Sequence, residues 1–147
     1  MISKILVATD GSDHAGNALK YAIESAVKWD AQLIILSVIP PLRPILPDPN
    51  DFLPAYIPDF EEDLEKSYKS ALEEAVKTVE KEQSDIKVEA HLEKGRPSDI
   101  IMKVARTENV DLIVMGSRGL GGITGSILGS TSQAVVHSCI KSILIVK

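Results

Sequence analysis

The sequence predicts an α/β protein of three layers, α/β/α, built on a five-stranded parallel sheet with the strand order 3-2-1-4-5. Two observations predict this class. Five short aliphatic runs alternate with segments of amphipathic helical periodicity along the chain. In addition, an acidic segment follows the first run and a glycine-rich segment follows the fourth, as expected where parallel strands end at a ligand crevice. A length of 147 residues fits a single domain, and we expect one domain over residues 1–147.

The predicted strands are runs of aliphatic and β-branched residues at 4–8, 33–39, 86–92, 111–115 and 143–147. Four of them are almost wholly apolar, so we expect both of their faces to be buried. The third alternates polar with apolar residues, which is typical of a strand at the edge of a sheet.

The first two helices are predicted from apolar residues at helical spacing. The first begins after Ser12 or Asp13, either of which suits an N-cap, and its apolar face is rich in alanine. The second is predicted over residues 59–83, where Asp59 and Glu62 have the spacing of a capping box. The opposite face of this helix is charged and is expected to be solvated.

The last two helices have start signals of a different kind. One is predicted over residues 98–108, with Pro97 at or next to its first turn. The other follows Gly129 and extends to about Ser138. The resulting order is βαβαβαβαβ, and right-handed crossovers then place helices on both faces of a parallel sheet.

Residues 40–58 interrupt this alternation because they contain seven of the eight prolines. The segment is predicted to be a loop insertion. It leaves the carboxyl end of the second strand, so one interpretation is a functional cover over whatever binds there. The other is a stiff surface insertion, and the sequence leaves both open.

Composition restricts the classes of function. A net charge of −5 argues against broad contact with nucleic-acid phosphates, and no apolar run approaches the ~20 residues that span a bilayer. The start of the chain lacks the pattern of a secretory signal, and the single Cys139 cannot form an internal disulfide. We therefore expect a cytoplasmic protein that binds neither nucleic acid nor membrane.

Residues 116–129, here called the glycine loop, join the fourth strand to the last helix and are rich in glycine and serine. Such a segment contributes little to a core, whereas its main-chain amides and the positive end of the following helix suit a phosphate group. The spacing of its glycines matches neither the dinucleotide fingerprint nor the P-loop. A flexible connection without a ligand is the alternative interpretation.

The glycine loop contains the pattern Gly116-x-x-Gly119, nine further residues, then Gly129-Ser130. With the segments KILVATDGSDHAGNALKYA and VDLIVMGSRG, this pattern resembles the universal stress protein family in its ATP-binding branch, and the likeness covers nearly the whole chain. The resemblance implies a Rossmann-like fold similar to the adenine nucleotide alpha hydrolases. It also implies a nucleotide site made by strand ends, the glycine loop and the start of the last helix: Ala8, Thr9, Asp10, Val38, Met115, Gly116, Ser117, Arg118, Gly119, Leu120, Gly121, Gly122, Gly129, Ser130 and Thr131.

By the same resemblance, Asp10 would approach the ribose hydroxyls or a phosphate-bound Mg²⁺, and Ala8, Thr9 and Val38 would border the adenine.

 The cofactor implied by the resemblance is ATP with Mg²⁺, and the implied assembly is a homodimer through the last strand, residues 143–147. Ser142 stands where the family commonly has proline, so the residue at which that strand begins stays undecided. Among the residues of the glycine loop, Arg118 is expected to be solvated rather than bound to phosphate.

Three functions remain open on the sequence. The first is an ATP-binding regulatory or sensor protein of the stress response, with protein partners that the sequence does not identify. The second is a slow ATPase, or a protein that phosphorylates itself on Ser130 or Thr131. The third is a nucleotide-free dimeric scaffold.

Simpler roles are open for several single residues. Asp10 is a candidate cap for the turn that follows it, and Ser12 is expected to cap a helix rather than to contact a ligand. The three histidines are His14, His91 and His137; they lack partners at metal-ligand spacing and are expected to be structural or exposed. Cys139 is expected to be a small core residue.

Overall fold

The computed structural model describes residues 1–42, 58–120 and 128–147, without the side chains of residues 58 and 59. Within these ranges strands and helices alternate as predicted. The elements are β1 (Lys4–Ala8), α1 (Asp13–Trp29), β2 (Gln32–Ile39), α2 (Pro58–Glu82), β3 (Val88–Lys94), α3 (Pro97–Thr107), β4 (Leu112–Gly116), α4 (Ser130–Ser138) and β5 (Ser142–Val146).

The five strands form one sheet in the order β3-β2-β1-β4-β5, which confirms the predicted order. Every neighbouring pair is parallel. β1 lies at the centre, with Leu6 opposite Ile34 of β2 and Ile113 of β4. The chain therefore winds outward to β3, returns, and continues on the other side of β1, so the strand order reverses between β1 and β4.

The helices cover both faces of the sheet, which confirms the three-layer prediction. Because side chains alternate along a strand, Ile5 and Val7 of β1 point into one core cluster and Leu6 points into the other. The first cluster is closed by α1 and α2, and the second by α3 and α4. The crevice at the carboxyl ends of β1 and β4 therefore has helices on both sides.

The outer strands differ in part from the prediction. β3 runs over Val88–Lys94, two residues later than predicted, and its position at the edge is confirmed. β5 begins at Ser142, one residue earlier than predicted. The expectation that β5 is buried on both faces was wrong: most of its residues are half-buried, because β5 forms the other edge of the sheet.

The helix starts agree with the sequence signals to within one residue. Ser12 is the N-cap of α1, and its hydroxyl accepts a hydrogen bond from the Ala15 amide at 3.2 Å. α3 begins at Pro97. α2 begins at Pro58, which therefore opens a helix instead of ending the predicted loop. Most of that loop, residues 43–57, lies outside the described residues, and so does any test of a cover over the site.

The longest helix, α2, has 25 residues but carries charged side chains along its length. In the described ranges no helix is long and apolar enough to cross a bilayer. The expectation of a single domain over residues 1–147 stays a prediction.

Candidate functional site

The segments that follow β1 and β4 meet in the crevice where the strand order reverses. The carboxylate of Asp10, just after β1, accepts a hydrogen bond at Oδ2 from the main-chain amide of Leu120 at 3.0 Å. Leu120 belongs to the glycine loop that follows β4. The acidic and glycine-rich segments are therefore within hydrogen-bond distance of each other, 110 residues apart in the sequence.

The glycine loop approaches Asp10 closely because Gly119 has no side chain. A Cβ atom built on Gly119 would lie 2.5 Å from Oδ2 of Asp10, which is closer than any real Cβ contact. Any other residue at this position would displace either the carboxylate or the loop. The contact with Asp10 thus favours glycine at the second position of the motif.

Asp10 also holds the turn into α1, as its simpler interpretation predicts. Its Oδ1 accepts a hydrogen bond from the Ser12 amide at 2.9 Å, and Gly11 between them has a φ of +83°, a conformation that favours glycine. A carboxylate offers about four lone-pair positions, so these two hydrogen bonds leave acceptor capacity for a ligand. The cap and a binding role are compatible.

The two ends of the glycine loop are tied to each other. The Gly129 amide donates to the carbonyl oxygen of Ser117 at 2.6 Å. The hydroxyl of Ser132, in the first turn of α4, donates to the carbonyl oxygens of Ser117 and Gly129 at 3.0 Å each. Both serines are almost fully buried. These bonds bring the start of α4 to the carboxyl end of β4.

The start of α4 has the geometry of an anion site. Its N-cap is Gly129, which makes no side-chain hydrogen bond to the first turn. The amides of the first three helical residues point along the helix axis without an intrahelical acceptor, and the helix dipole adds partial positive charge there. Ser130 is exposed and Thr131 is half-buried at this end.

The first glycine of the motif serves a different contact. A Cβ atom on Gly116 would lie 2.9 Å from the main-chain carbonyl carbon and from the Cβ of His14 in α1. The Oγ of Ser117 lies 3.5 Å from Nδ1 of the same histidine. Gly116 therefore allows the first turn of α1 to pack on the end of β4.

The three histidines have separate surroundings. His14 is half-buried beside Ser117, His91 lies 3.5 Å from a carboxylate oxygen of Glu89, and His137 is exposed. Among the residues that the structure describes, no group of three or more His, Cys, Asp or Glu side chains is arranged to hold a metal ion. Cys139 is half-buried and packs against the second core cluster.

The remaining predicted site residues lie at the carboxyl ends of β1, β2 and β4, but their side chains do not all face the crevice. Those of Val38 and Met115 are buried in the second core cluster, so contact with a ligand would involve their main chain. Thr9 is buried, and its amide donates to the Leu36 carbonyl at 2.9 Å. Arg118 is half-buried, and whether it contacts phosphate stays a prediction. Gly121 and Gly122 lie outside the described residues.

Sequence reasoning did not include Tyr68, in the middle of α2, among the site residues. Burial raises the pKa of the Tyr68 phenol, and the negative charge of Asp10 raises this pKa further. The side chain of Tyr68 is half-buried. A tyrosine among the apolar residues of a helix is a usable signal, since the hydroxyl of a half-buried phenol needs a polar surrounding.

The model of the universal stress protein family matches residues 1–147. A Thermus aquaticus relative, "Universal stress protein in QAH/OAS sulfhydrylase 3'region", is 35% identical over 148 residues, covering 100% of each chain. The solved structure of MJ0577 from Methanocaldococcus jannaschii is 30% identical with a TM-score of 0.77, covering 100% of this chain and 96% of that one. A solved universal stress protein in complex with cAMP is 26% identical with a TM-score of 0.68, covering 99% and 96%.

Proposed function

The chain belongs to the universal stress protein family, and we propose that it is a regulatory protein that binds ATP in the crevice between β1 and β4. One observation carries the proposal: the Asp10 carboxylate and the Leu120 amide of the glycine loop lie 3.0 Å apart where the strand order reverses. Ligands of open α/β sheets bind at such a point. The relative in complex with cAMP supports an adenine nucleotide as the ligand class.

We assign the two sides of the crevice to the two ends of the nucleotide. Asp10 accepts hydrogen bonds from the ribose hydroxyls, and the main chain of Ala8, Thr9 and Val38 borders the adenine. The phosphates lie against the glycine loop and the first turn of α4, where main-chain amides and the Ser130 and Thr131 hydroxyls donate. The absence of a side chain at Gly119 keeps the backbone beside Asp10 accessible.

Mg²⁺ fits the same arrangement as a companion of the phosphates. It favours oxygen ligands, keeps several waters, and is commonly held by one or two carboxylates together with substrate phosphates. Asp10 would supply the carboxylate in this proposal. The ion would reduce the repulsion between this carboxylate and the triphosphate.

Regulation would follow from a change at the glycine loop. A bound nucleotide would compete with the Leu120 amide for the Asp10 carboxylate, and so alter the surface that other proteins contact. We propose a homodimer through β5 as the assembly that presents this surface. Cytoplasmic location and the absence of nucleic-acid partners stay predictions.

Thermal unfolding with and without Mg-ATP tests binding. A ligand at 100 times its dissociation constant stabilises the folded state by about 2.7 kcal/mol, so the midpoint is expected to rise with ATP concentration. No rise up to millimolar ATP would contradict the proposal. Mass spectrometry of nucleotide released from the denatured purified protein is an independent check of occupancy.

Gly119→Val tests the location of the site. Its side chain would displace the Asp10 carboxylate, so ATP binding is expected to fall while the fold is retained. The matched control is Gly16→Ala in α1, where a Cβ atom would meet nothing within 4 Å and ATP binding should be unchanged. Equal affinity in wild type and Gly119→Val would show that the site is misplaced.

A long incubation with Mg-ATP distinguishes the enzymatic alternatives from binding alone. The protein is incubated with Mg-ATP for hours while ADP release and protein mass are followed. A regulatory binder releases little ADP and gains no phosphate. Rapid turnover that Asp10→Ala abolishes, or a mass increase that Ser130→Ala or Thr131→Ala abolishes, would favour the enzyme instead.

A further inference from the structure

The middle of α2 packs on the carboxyl ends of β1 and β2. The hydroxyl of Ser37, which is fully buried in β2, donates to the carbonyl oxygen of Tyr68 at 3.3 Å. One turn further along, the Cβ of Ala71 lies 3.2 Å from where a Cβ atom on Gly11 would stand. Tyr68 and Ala71 are three residues apart and so share a face of the helix. That face is directed at the turn that carries Asp10.

The Tyr68 side chain lies in the electrostatic range of Asp10. Its half-burial and the Asp10 charge both raise the pKa of the phenol, so the hydroxyl keeps its proton at neutral pH. A protonated phenol can donate a hydrogen bond, and its ring offers an apolar face. Both properties suit a nucleoside better than a phosphate.

We propose that Tyr68 is a binding residue for the nucleoside end of the ligand, with its ring against the nucleoside and its hydroxyl donating to a ribose oxygen. This inference rests on the proposed function and adds a residue that the glycine motif does not contain. Tyr68 lies on the β2 side of Asp10, whereas the glycine loop and α4 lie on the β4 side. Asp10 thus separates a nucleoside subsite from a phosphate subsite.

Titration calorimetry with three ligands tests the assignment: Mg-ATP, adenosine, and tripolyphosphate with Mg²⁺. Tyr68→Ala should weaken ATP and adenosine by roughly tenfold, because contact between a base and an aromatic ring is lost, and should leave tripolyphosphate unchanged. Tyr68→Phe keeps the ring and should lose less. Tyr21→Ala is the matched control, since Tyr21 is 52% exposed on α1. It should change none of the three affinities.

The outcomes separate this inference from the proposed function. Unchanged ATP affinity in Tyr68→Ala, with loss of ATP binding in Gly119→Val, overturns the role of Tyr68 and leaves the site in place. An equal loss of tripolyphosphate and ATP in Tyr68→Ala also overturns it, because the residue would then act on the whole crevice. A wild-type protein that binds no ATP contradicts the proposed function itself.

A second measurement does not depend on the stability of Tyr68→Ala. The chain has three tyrosines, so fluorotyrosine labelling gives few ¹⁹F signals, and the conservative Tyr68→Phe variant assigns one of them. Adenosine should shift the Tyr68 signal and tripolyphosphate should shift it less. A Tyr68 signal that saturating adenosine leaves unmoved overturns the inference.

Discussion

Gly116 and Gly119 lie three residues apart in one motif, yet their missing side chains serve different contacts. Gly116 lets the backbone of α1 pack on β4, whereas Gly119 lets the glycine loop reach the carboxylate of Asp10. The first contact is between two parts of the scaffold, and the second is within the proposed site. Substitution at the two positions should therefore separate stability from binding.

Gly116→Ala is expected to destabilise the fold. The new Cβ atom would lie 2.9 Å from main-chain and Cβ atoms of His14, so the first turn of α1 must shift. Such overpacking costs roughly 1–3 kcal/mol. Urea unfolding followed by circular dichroism measures the effect.

The control for this variant is again Gly16→Ala. Gly16 is exposed within α1 and has open space around it, so alanine should stabilise the helix by about 0.5–1 kcal/mol. Equal stability of Gly116→Ala and wild type would mean that α1 does not pack on β4 as described.

The neighbouring strands β1 and β4 are linked at both of their ends by hydrogen bonds to a carboxylate. Only three residue pairs, Ile5 to Val7 with Leu112 to Val114, form their register. At the carboxyl ends Asp10 accepts from the Leu120 amide. At the amino ends Oδ2 of Asp111 accepts from the Ser3 amide and hydroxyl and from the Lys4 amide, at 2.8, 2.9 and 3.0 Å. The short pairing is thus extended by side chains.

Asp111→Asn should lower stability in a pH-dependent way. Hydrogen bonds from Ser3, and then from the Lys4 amide, hold the pKa of the Asp111 carboxyl below its ordinary value of 3.8. A carboxyl with a lowered folded-state pKa contributes stability above its unfolded-state pKa and loses this contribution as the pH falls through the folded-state value. The wild type should therefore be more stable than the variant at neutral pH, and the difference should shrink below pH 3.8.

Urea midpoints of the two proteins across this pH range provide the measurement. Asp85→Asn is the control, because Asp85 is exposed in the turn before β3. Its difference from wild type should be small at every pH. A deficit in Asp111→Asn that stays constant from neutral to acid pH would contradict the role given to the charge.

The elements were largely predictable because their signals are local. The apolar face of α1, the Ser12 cap and Pro97 at the start of α3 are properties of neighbouring residues, and the structure confirms them. From the strand order, the sequence predicted that the segment of Asp10 and the glycine loop lie near each other. It did not predict the hydrogen bond between Asp10 and Leu120. The position of Tyr68 depends on how α2 packs on β1 and β2, and no local pattern encodes that packing.

β5 is one of the two edge strands of the sheet, and among the described residues no further strand pairs with its outer side. Its sequence is apolar, so the prediction of burial on both faces was reasonable, but its residues are mostly half-buried. Val136 and Ile140 nearby are 45% and 96% exposed. An apolar sheet edge beside exposed apolar side chains favours a partner, and the family resemblance suggests a second copy of the chain.

The hydrogen bonds of β4 identify which β5 residues face this edge. The Ser117 amide donates to the Val146 carbonyl at 2.7 Å, so the polar main-chain groups of Val146 point toward β4. Because the direction of the main-chain polar groups alternates along a strand, those of Ile145 point outward.

Ile145→Pro therefore removes an outward donor without removing a bond to β4, and dimerisation through this edge should weaken. Ile145→Ala shortens the side chain but keeps the amide, so it should remain dimeric. Sedimentation equilibrium of the three proteins over a range of concentrations measures this, and dimers of equal strength in both variants would contradict pairing through β5.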